Sequence, residues 1–89
     1  VARPGDDIRF DNVDILTHDV IAIETDASTS RPWCASFATG ACPLFWSPTV
    51  GLAGSRFVEG TENLTAGNTY HFYCSWHPFM EGTLVIAPA

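Results

Sequence analysis

The sequence contains no lysine and has little positive charge of any kind. Its 89 residues carry four basic side chains, all of them arginines, against ten acidic ones, and the formal net charge is −6. A surface of this sign repels nucleic acid and anionic lipid headgroups, so neither is expected as a partner. Cationic surfaces of other proteins are natural partners for such a chain.

Long apolar runs and long helical patterns are also missing. No stretch of about 18 apolar residues occurs, so no segment is expected to span a membrane. No amphipathic helical pattern with end caps is present either. Residues 1–7 lack the basic start and apolar stretch of a secretory signal, and there is no initiator methionine, which favours a processed or excised chain.

Turn residues recur between short segments that alternate or are rich in β-branched side chains. Turns are expected at Pro4–Gly5 and at residues 12–14 and 66–68, with an irregular stretch over residues 31–54. Strands are predicted over residues 8–10, 18–24, 55–59, 69–74 and 83–86. The length allows one domain, residues 1–89, and the pattern predicts a small all-β, Greek-key sandwich with antiparallel strands.

A group of soft donor residues lies where one predicted strand ends and the next begins. Cys74, His77 and Met80 follow the spacing C-x₂-H-x₂-M. Each such residue taken singly is most often ordinary packing, but a thiolate, an imidazole and a thioether together suit copper. His18, at a strand start after a turn, is the candidate second imidazole, because strand parity turns His71 away from Cys74. Zinc is disfavoured because thioether is a poor zinc ligand.

Residues 72–85 resemble the copper loop of the cupredoxins, the blue copper proteins. The short spacing is most similar to that of amicyanins, whereas plastocyanins carry a longer loop. Residues 4–20, with Pro-Gly-Asp followed later by His-Asp-Val, resemble another stretch of the family. Residues 64–72 resemble the strand that delivers the cysteine.

The resemblance implies the cupredoxin sandwich with one copper ion that cycles between Cu(I) and Cu(II). The implied metal ligands are His18, Cys74, His77 and Met80. It also implies a carrier of single electrons between larger redox proteins, which would dock transiently near His77. Two departures stand out. Asp19 occupies a position where the family usually has asparagine. Val1 leaves no room for the usual strand before Pro4, so either the sandwich is reduced or an N-terminal piece is missing.

The three cysteines allow one pair if Cys74 binds metal. Cys34 and Cys42 enclose seven residues and would form a disulfide, which implies an extracytoplasmic location: periplasm, cell surface or exterior. Two free buried thiols remain open as an alternative. A Cys₃His zinc site that also uses Cys74 and His77 is conceivable, although the spacing of the first two cysteines is not typical of zinc sites.

The sequence thus favours a monomeric type 1 copper electron carrier that is not an enzyme. The neighbours of Cys74 are Tyr73 and Ser75 rather than histidines, so the second copper centre of multicopper oxidases is not expected. Two alternatives stay open. One is a module that stores, delivers or senses copper with the same ligands, and the other is a metal-free cupredoxin-like domain excised from a larger redox protein.

Overall fold

A computed structural model describes residues 1–12, 16–77 and 79–88. Within these ranges the regular elements are short strands and two short 3₁₀-helices, Pro32–Ser36 and Thr61–Asn63. The strands are β1 Arg9–Asp11, β2 His18–Ala22, β3 Thr25–Asp26, β4 Cys42–Pro43, β5 Trp46–Val50, β6 Ser55–Phe57, β7 Thr69–Tyr73 and β8 Glu81–Val85. In the described part of the chain, no helix has the length and apolar character needed to cross a bilayer.

The strands form one main sheet and two strand pairs, and every pairing between named strands is antiparallel. The main sheet has the order β5-β2-β7-β8, while β1 pairs with β6 and β3 with β4. The buried core residues are Val20, Ala22, Phe45, Val58, Tyr70 and Ile86. The all-β prediction is therefore confirmed, and so is the turn at Pro4–Gly5; residues 13–14 of the next predicted turn lie outside the described ranges.

Strand β7 shows the predicted alternation. Tyr70 and Cys74 are each 6% exposed, whereas His71 is exposed to solvent. Because side chains alternate across a strand, this register carries Cys74 inward and leaves His71 on the other face. The parity argument that excluded His71 from the candidate site agrees with the structure.

The prediction that residues 31–54 are irregular is wrong in part, because β5 lies within them. Pro48 argues against a strand when the sequence is considered alone. The proline is nevertheless tolerated because β5 is an edge strand of the main sheet. Ser47 is fully buried and its Oγ accepts a hydrogen bond from the Val20 amide at 3.0 Å. That bond lies at the shift in register between β2 and β5, so the Ser47 hydroxyl takes the place of a backbone hydrogen bond between the two strands.

Residues 25–43, which we call the lid, carry the disulfide. Cys34 and Cys42 are joined, which excludes both the two-thiol alternative and the Cys₃His zinc site. Trp33 stacks on Trp46 with ring centroids 5.8 Å apart, and its Nε1 donates to the Pro43 carbonyl at 2.8 Å. The lid is thereby fixed to β5 by stacked aromatic rings and to itself by a covalent bond.

Glu24 connects the segment after β2 to β7. Its two carboxylate oxygens accept from the amide and the ring Nδ1 of His71 at 2.8 and 2.7 Å. Burial alone would raise the pKa of Glu24, but these hydrogen bonds outweigh it and hold the pKa below its ordinary value of 4.5. Because the pKa is lower in the folded protein than in the unfolded chain, the ionised carboxyl increases the free energy of unfolding above pH 4.5. This contribution is lost as the pH falls through the pKa of the folded protein.

We therefore expect Glu24→Gln to be less stable than the wild type at pH 7, by up to about 1 kcal/mol for a partly exposed pair. The difference should shrink as the pH falls below 4.5, because the wild-type carboxyl becomes protonated as the pH passes through its lowered folded-state pKa. Urea unfolding of the two proteins over this pH range measures it. A difference that stays constant with pH would contradict the assigned role of the carboxylate.

Candidate metal centre

Three elements meet at one end of the main sheet. His18 is the first residue of β2, Cys74 follows β7 directly, and the loop from Cys74 leads back to β8. The Cys74 amide donates to the Met80 carbonyl at 3.0 Å, and the Met80 amide donates to the His77 carbonyl at 3.2 Å. These backbone bonds close the loop and keep its three donor residues together.

His18 and Cys74 face each other inside the protein. They are 5% and 6% exposed, and His18 Nδ1 lies 3.7 Å from Cys74 Sγ. The ring of His77 lies against that of His18, with centroids 4.7 Å apart and planes inclined at 48°. The structure thus brings together two imidazoles and the one cysteine that is not in the disulfide.

The contacts of His77 fix which ring nitrogen remains for a metal. Its Nε2 lies 2.9 Å from the Thr17 carbonyl oxygen. A carbonyl only accepts hydrogen bonds, so Nε2 carries the proton and Nδ1 keeps its lone pair. Metal-binding histidines commonly donate their second ring nitrogen to a carbonyl in this way.

Met80 lies at the opening of the same region and is 44% exposed. With His18 and Cys74 it lines a cavity of about 220 Å³. The rest of the lining consists of apolar side chains, three carboxylates and one amide: Phe10, Val20, Phe72, Asp11, Asp19, Glu81 and Asn12. A larger cavity of about 520 Å³ contains none of the predicted site residues, so donor chemistry rather than size singles out the smaller one.

The donor types of the four candidate ligands suit copper, although their side chains are not arranged around a metal ion. Across residues 1–12, 16–77 and 79–88, no three His, Cys, Asp or Glu side chains are grouped to hold an ion. One cysteine, two histidines and one methionine would nevertheless supply the thiolate, imidazole and thioether donors that suit copper. Structural zinc sites use four strong donors, which this set lacks.

Asp19 ties the two ligand-bearing segments together. Its Oδ1 accepts from the Ser75 amide at 2.7 Å, and its Oδ2 accepts from the Ser75 hydroxyl. Asp19 follows His18 and Ser75 follows Cys74, so these bonds fix the candidate ligands relative to each other. The residue that departs from the family pattern therefore connects the two segments through its carboxylate.

Asn12 is a site residue that sequence reasoning missed. It is 3% exposed, and its Nδ2 donates to the carbonyls of Leu16 and Val50 at 2.8 Å each. These bonds hold the segment that leads into His18 against the end of β5. One signal in the sequence was its position two residues after the half-buried Phe10, so that it follows the last residue of β1 with the same parity as Phe10.

Exposed apolar side chains lie close in the chain to His77 and to its hydrogen-bond partner Thr17. Leu16 is 50% exposed, Trp76 55% and Phe79 99%. Phe79 also has a positive φ of 70°, which is rare for a bulky residue, and it lies in a turn of the loop. Trp76 is held in place by a bond of 3.1 Å from its Nε1 to the Thr49 hydroxyl.

Comparison with known proteins gives a structural match and no match by sequence. No family model and no curated protein matches the chain. Among solved structures it matches amicyanin: the reduced form of a tryptophan variant, the Cu(I) form of a methionine variant and the oxidised state of a proline variant. Each match has a TM-score of 0.63 and 21% identity, and covers 96% of this chain.

The match establishes the fold. The chain has the cupredoxin β-sandwich architecture, as the loop resemblance and the strand pattern predicted. It spans 65% of the length of the amicyanin chains it matches.

Proposed function

We propose that this protein is a mononuclear type 1 copper protein that carries single electrons between larger redox partners. The proposed ligands are His18, Cys74, His77 and Met80. The observation that carries the proposal is the buried His18 Nδ1, which lies 3.7 Å from the sulfur of the free, buried Cys74. The cupredoxin fold and the copper in a matched amicyanin structure support it.

The chain's part in electron transfer is to hold the donors with little movement. A bound copper ion would supply the one-electron couple, cycling between Cu(I) and Cu(II). The Asp19–Ser75 bonds, the closed loop between Cys74 and Met80, and Asn12 restrict the donors before metal binds. The apolar residues Phe10, Val20 and Phe72 limit the access of water, which tunes the potential of such a site.

A redox partner would dock on the exposed apolar surface formed by Leu16, Trp76 and Phe79 around His77. Transient redox encounters bury little area, below about 1,200 Å², so a patch of this kind is sufficient. The net charge of −6 would steer partners with cationic surfaces and would speed association at low salt. We propose a carrier rather than an enzyme, with the single copper site as its only cofactor.

An extracytoplasmic location is part of the proposal. The Cys34–Cys42 disulfide supports it, because disulfides persist in the periplasm, at the cell surface and outside the cell.

A copper storage, delivery or sensing module is the second candidate. The exposed Met80 and the three carboxylates lining the 220 Å³ cavity favour it, since they would help a cation to enter and leave. The rate of copper transfer to an excess of a chelator distinguishes the two. Slow loss with reversible one-electron cycling supports the carrier, whereas rapid transfer supports the module.

The first test is the visible and EPR spectrum of protein loaded with Cu(II). We expect an intense thiolate-to-copper band and narrow copper hyperfine splitting, which together report a thiolate ligand in a type 1 site. A weak band with wide splitting would place copper elsewhere, or without the thiolate, and would overturn the proposed ligand set.

A further inference from the structure

We propose that the outer edge of β8 binds an extended strand of a partner protein, parallel to β8, and that aliphatic side chains of this strand enter a neighbouring apolar cavity. The juxtaposition of this strand edge with the cavity carries the inference. It does not depend on the proposed copper function.

Strand β8 has a neighbouring strand on one side. It is the last strand in the order β5-β2-β7-β8, and within residues 1–12, 16–77 and 79–88 its outer edge is paired just past its end, where Ala2 forms a parallel bridge with Ile86. The Ala2 amide donates to the Val85 carbonyl at 2.8 Å, and the Ala87 amide donates to the Ala2 carbonyl at 2.7 Å. These bonds follow the pattern of a parallel ladder, so this edge already pairs with extended chain at one end.

The backbone groups that face the outer edge follow from the pairing of β8 with β7. The Ile86 amide donates to the carbonyl of Asn68, just before β7, at 2.9 Å. The hydrogen-bonding groups of successive strand residues point to opposite edges, so the even-numbered residues of β8 bond to β7. The amides of Thr83 and Val85 therefore turn to the outer edge, where an added strand would bond to them.

An apolar cavity of about 250 Å³ lies between β1 and the main sheet. It is lined by Leu84 of β8, by Phe10 of β1 and by further side chains that are apolar apart from Arg9. Ala2 pairs with Ile86 and packs against the core, and a residue paired with Leu84 would point to the same side of the sheet. An apolar cavity of about 150 Å³ accommodates benzene, so this one has room for aliphatic side chains.

The side chains of β8 indicate the chemistry of the partner strand. Gly82 and Leu84 are half-buried, whereas Glu81, Thr83 and Val85 are exposed on the other face. An added strand therefore fits best with aliphatic residues beside the first pair and polar residues between them. A basic residue beside Glu81 would form a cross-strand pair, in keeping with the net charge of −6. Addition of such a strand to an exposed sheet edge is a common mode of peptide recognition.

The test uses the metal-free wild type and the synthetic peptide acetyl-Lys-Val-Lys-Val-amide, with binding measured by calorimetry. At a peptide concentration ten times its Kd, we expect hydrogen exchange of the Thr83 and Val85 amides to slow about tenfold. The amides of Gly82 and Leu84 already bond to β7 and should change much less. Absence of binding, or unchanged exchange of Thr83 and Val85 in the bound protein, would overturn the proposal.

A peptide with the same composition in the order Lys-Lys-Val-Val is the control for simple charge attraction. Its alternation is lost, so we expect it to bind at least tenfold more weakly. Equal affinity of the two peptides would show that the negative charge alone attracts them, and would overturn the strand pairing.

Two variants test the edge itself. Thr83→Pro removes the outward amide, at an edge position where proline is tolerated, and should weaken binding at least tenfold. Thr83→Ala keeps the amide and should bind within twofold of the wild type. Exchange of the Leu84 amide in Thr83→Pro shows whether β8 still pairs with β7. A folded Thr83→Pro protein that binds as tightly as the wild type would contradict the assigned edge.

A second copy of this chain is the other occupant that the experiment detects. Exchange is measured without peptide at increasing protein concentration, and we expect it to stay constant. Protection of the Thr83 amide that rises with the concentration of the protein alone would identify a second copy as the occupant and overturn the partner strand.

Discussion

Replacing Cys74 with serine will remove the intense visible band of the Cu(II)-loaded protein. The band requires a thiolate bound to copper, and Cys74 is the one cysteine outside the disulfide. Serine is close to cysteine in size, so the core around this buried position should change little, but its hydroxyl is a poor ligand for a soft metal. We expect the absorbance to fall to the baseline and the copper hyperfine splitting to widen.

His71→Asn is the matched control for that experiment. His71 lies on the opposite face of β7, three positions before Cys74, and its ring contacts Glu24. The control should keep the full band, because it changes a histidine of the same strand without touching the proposed site. A Cys74→Ser protein that stays blue would remove Cys74 from the ligand set, and a colourless His71→Asn protein would contradict the face assignment.

Removing the Cys34–Cys42 disulfide will lower the free energy of unfolding by more than the Glu24→Gln substitution does. The two residues are eight positions apart. In the chain-entropy account, closing a loop of this length contributes about 2–3 kcal/mol. For a domain of this size each kcal/mol corresponds to about 4–8 °C, so the double variant Cys34→Ser/Cys42→Ser should melt roughly 10–20 °C lower.

The measurement is a thermal melt of metal-free protein, because bound copper would stabilise the folded state by mass action. Wild-type protein with a reducing agent is the matched control and should approach the melting temperature of the double variant. Once loaded with Cu(II) without reductant, the double variant should still show the visible band, since Cys74 is not involved. Equal melting temperatures with and without the disulfide would show that the packing of Trp33 suffices to hold the lid.

Features encoded over a few neighbouring residues were predicted well from the sequence. The strand register that buries Cys74 followed from period-2 alternation, and the disulfide followed from the number and spacing of the cysteines. The placement of His18 opposite Cys74 was also expected, since both lie at strand ends. Whether these residues bind copper stays a prediction.

Features that depend on distant partners could not be predicted. Strand β5 was missed because Pro48 normally breaks strands, and only its edge position makes it compatible with one. The hydrogen bond between His77 and the Thr17 carbonyl joins residues 60 positions apart, and no local sequence pattern indicates it. The same holds for the pairing of Asp19 with Ser75, which needs the folded sheet to bring the two together.

The positions of the three tryptophans allow changes at two parts of the molecule to be followed by intrinsic fluorescence. Trp33 of the lid stacks on Trp46 of β5. The half-exposed Trp76 lies next to the proposed ligand His77 in the chain. Fluorescence from the stacked pair would respond to opening of the disulfide, and emission from Trp76 would respond to metal loading or to the binding of a partner. Replacing Trp76 with phenylalanine would leave the signal from the lid, and replacing Trp33 and Trp46 together would leave the signal from Trp76. The two signals report on opposite ends of β5 without any added label.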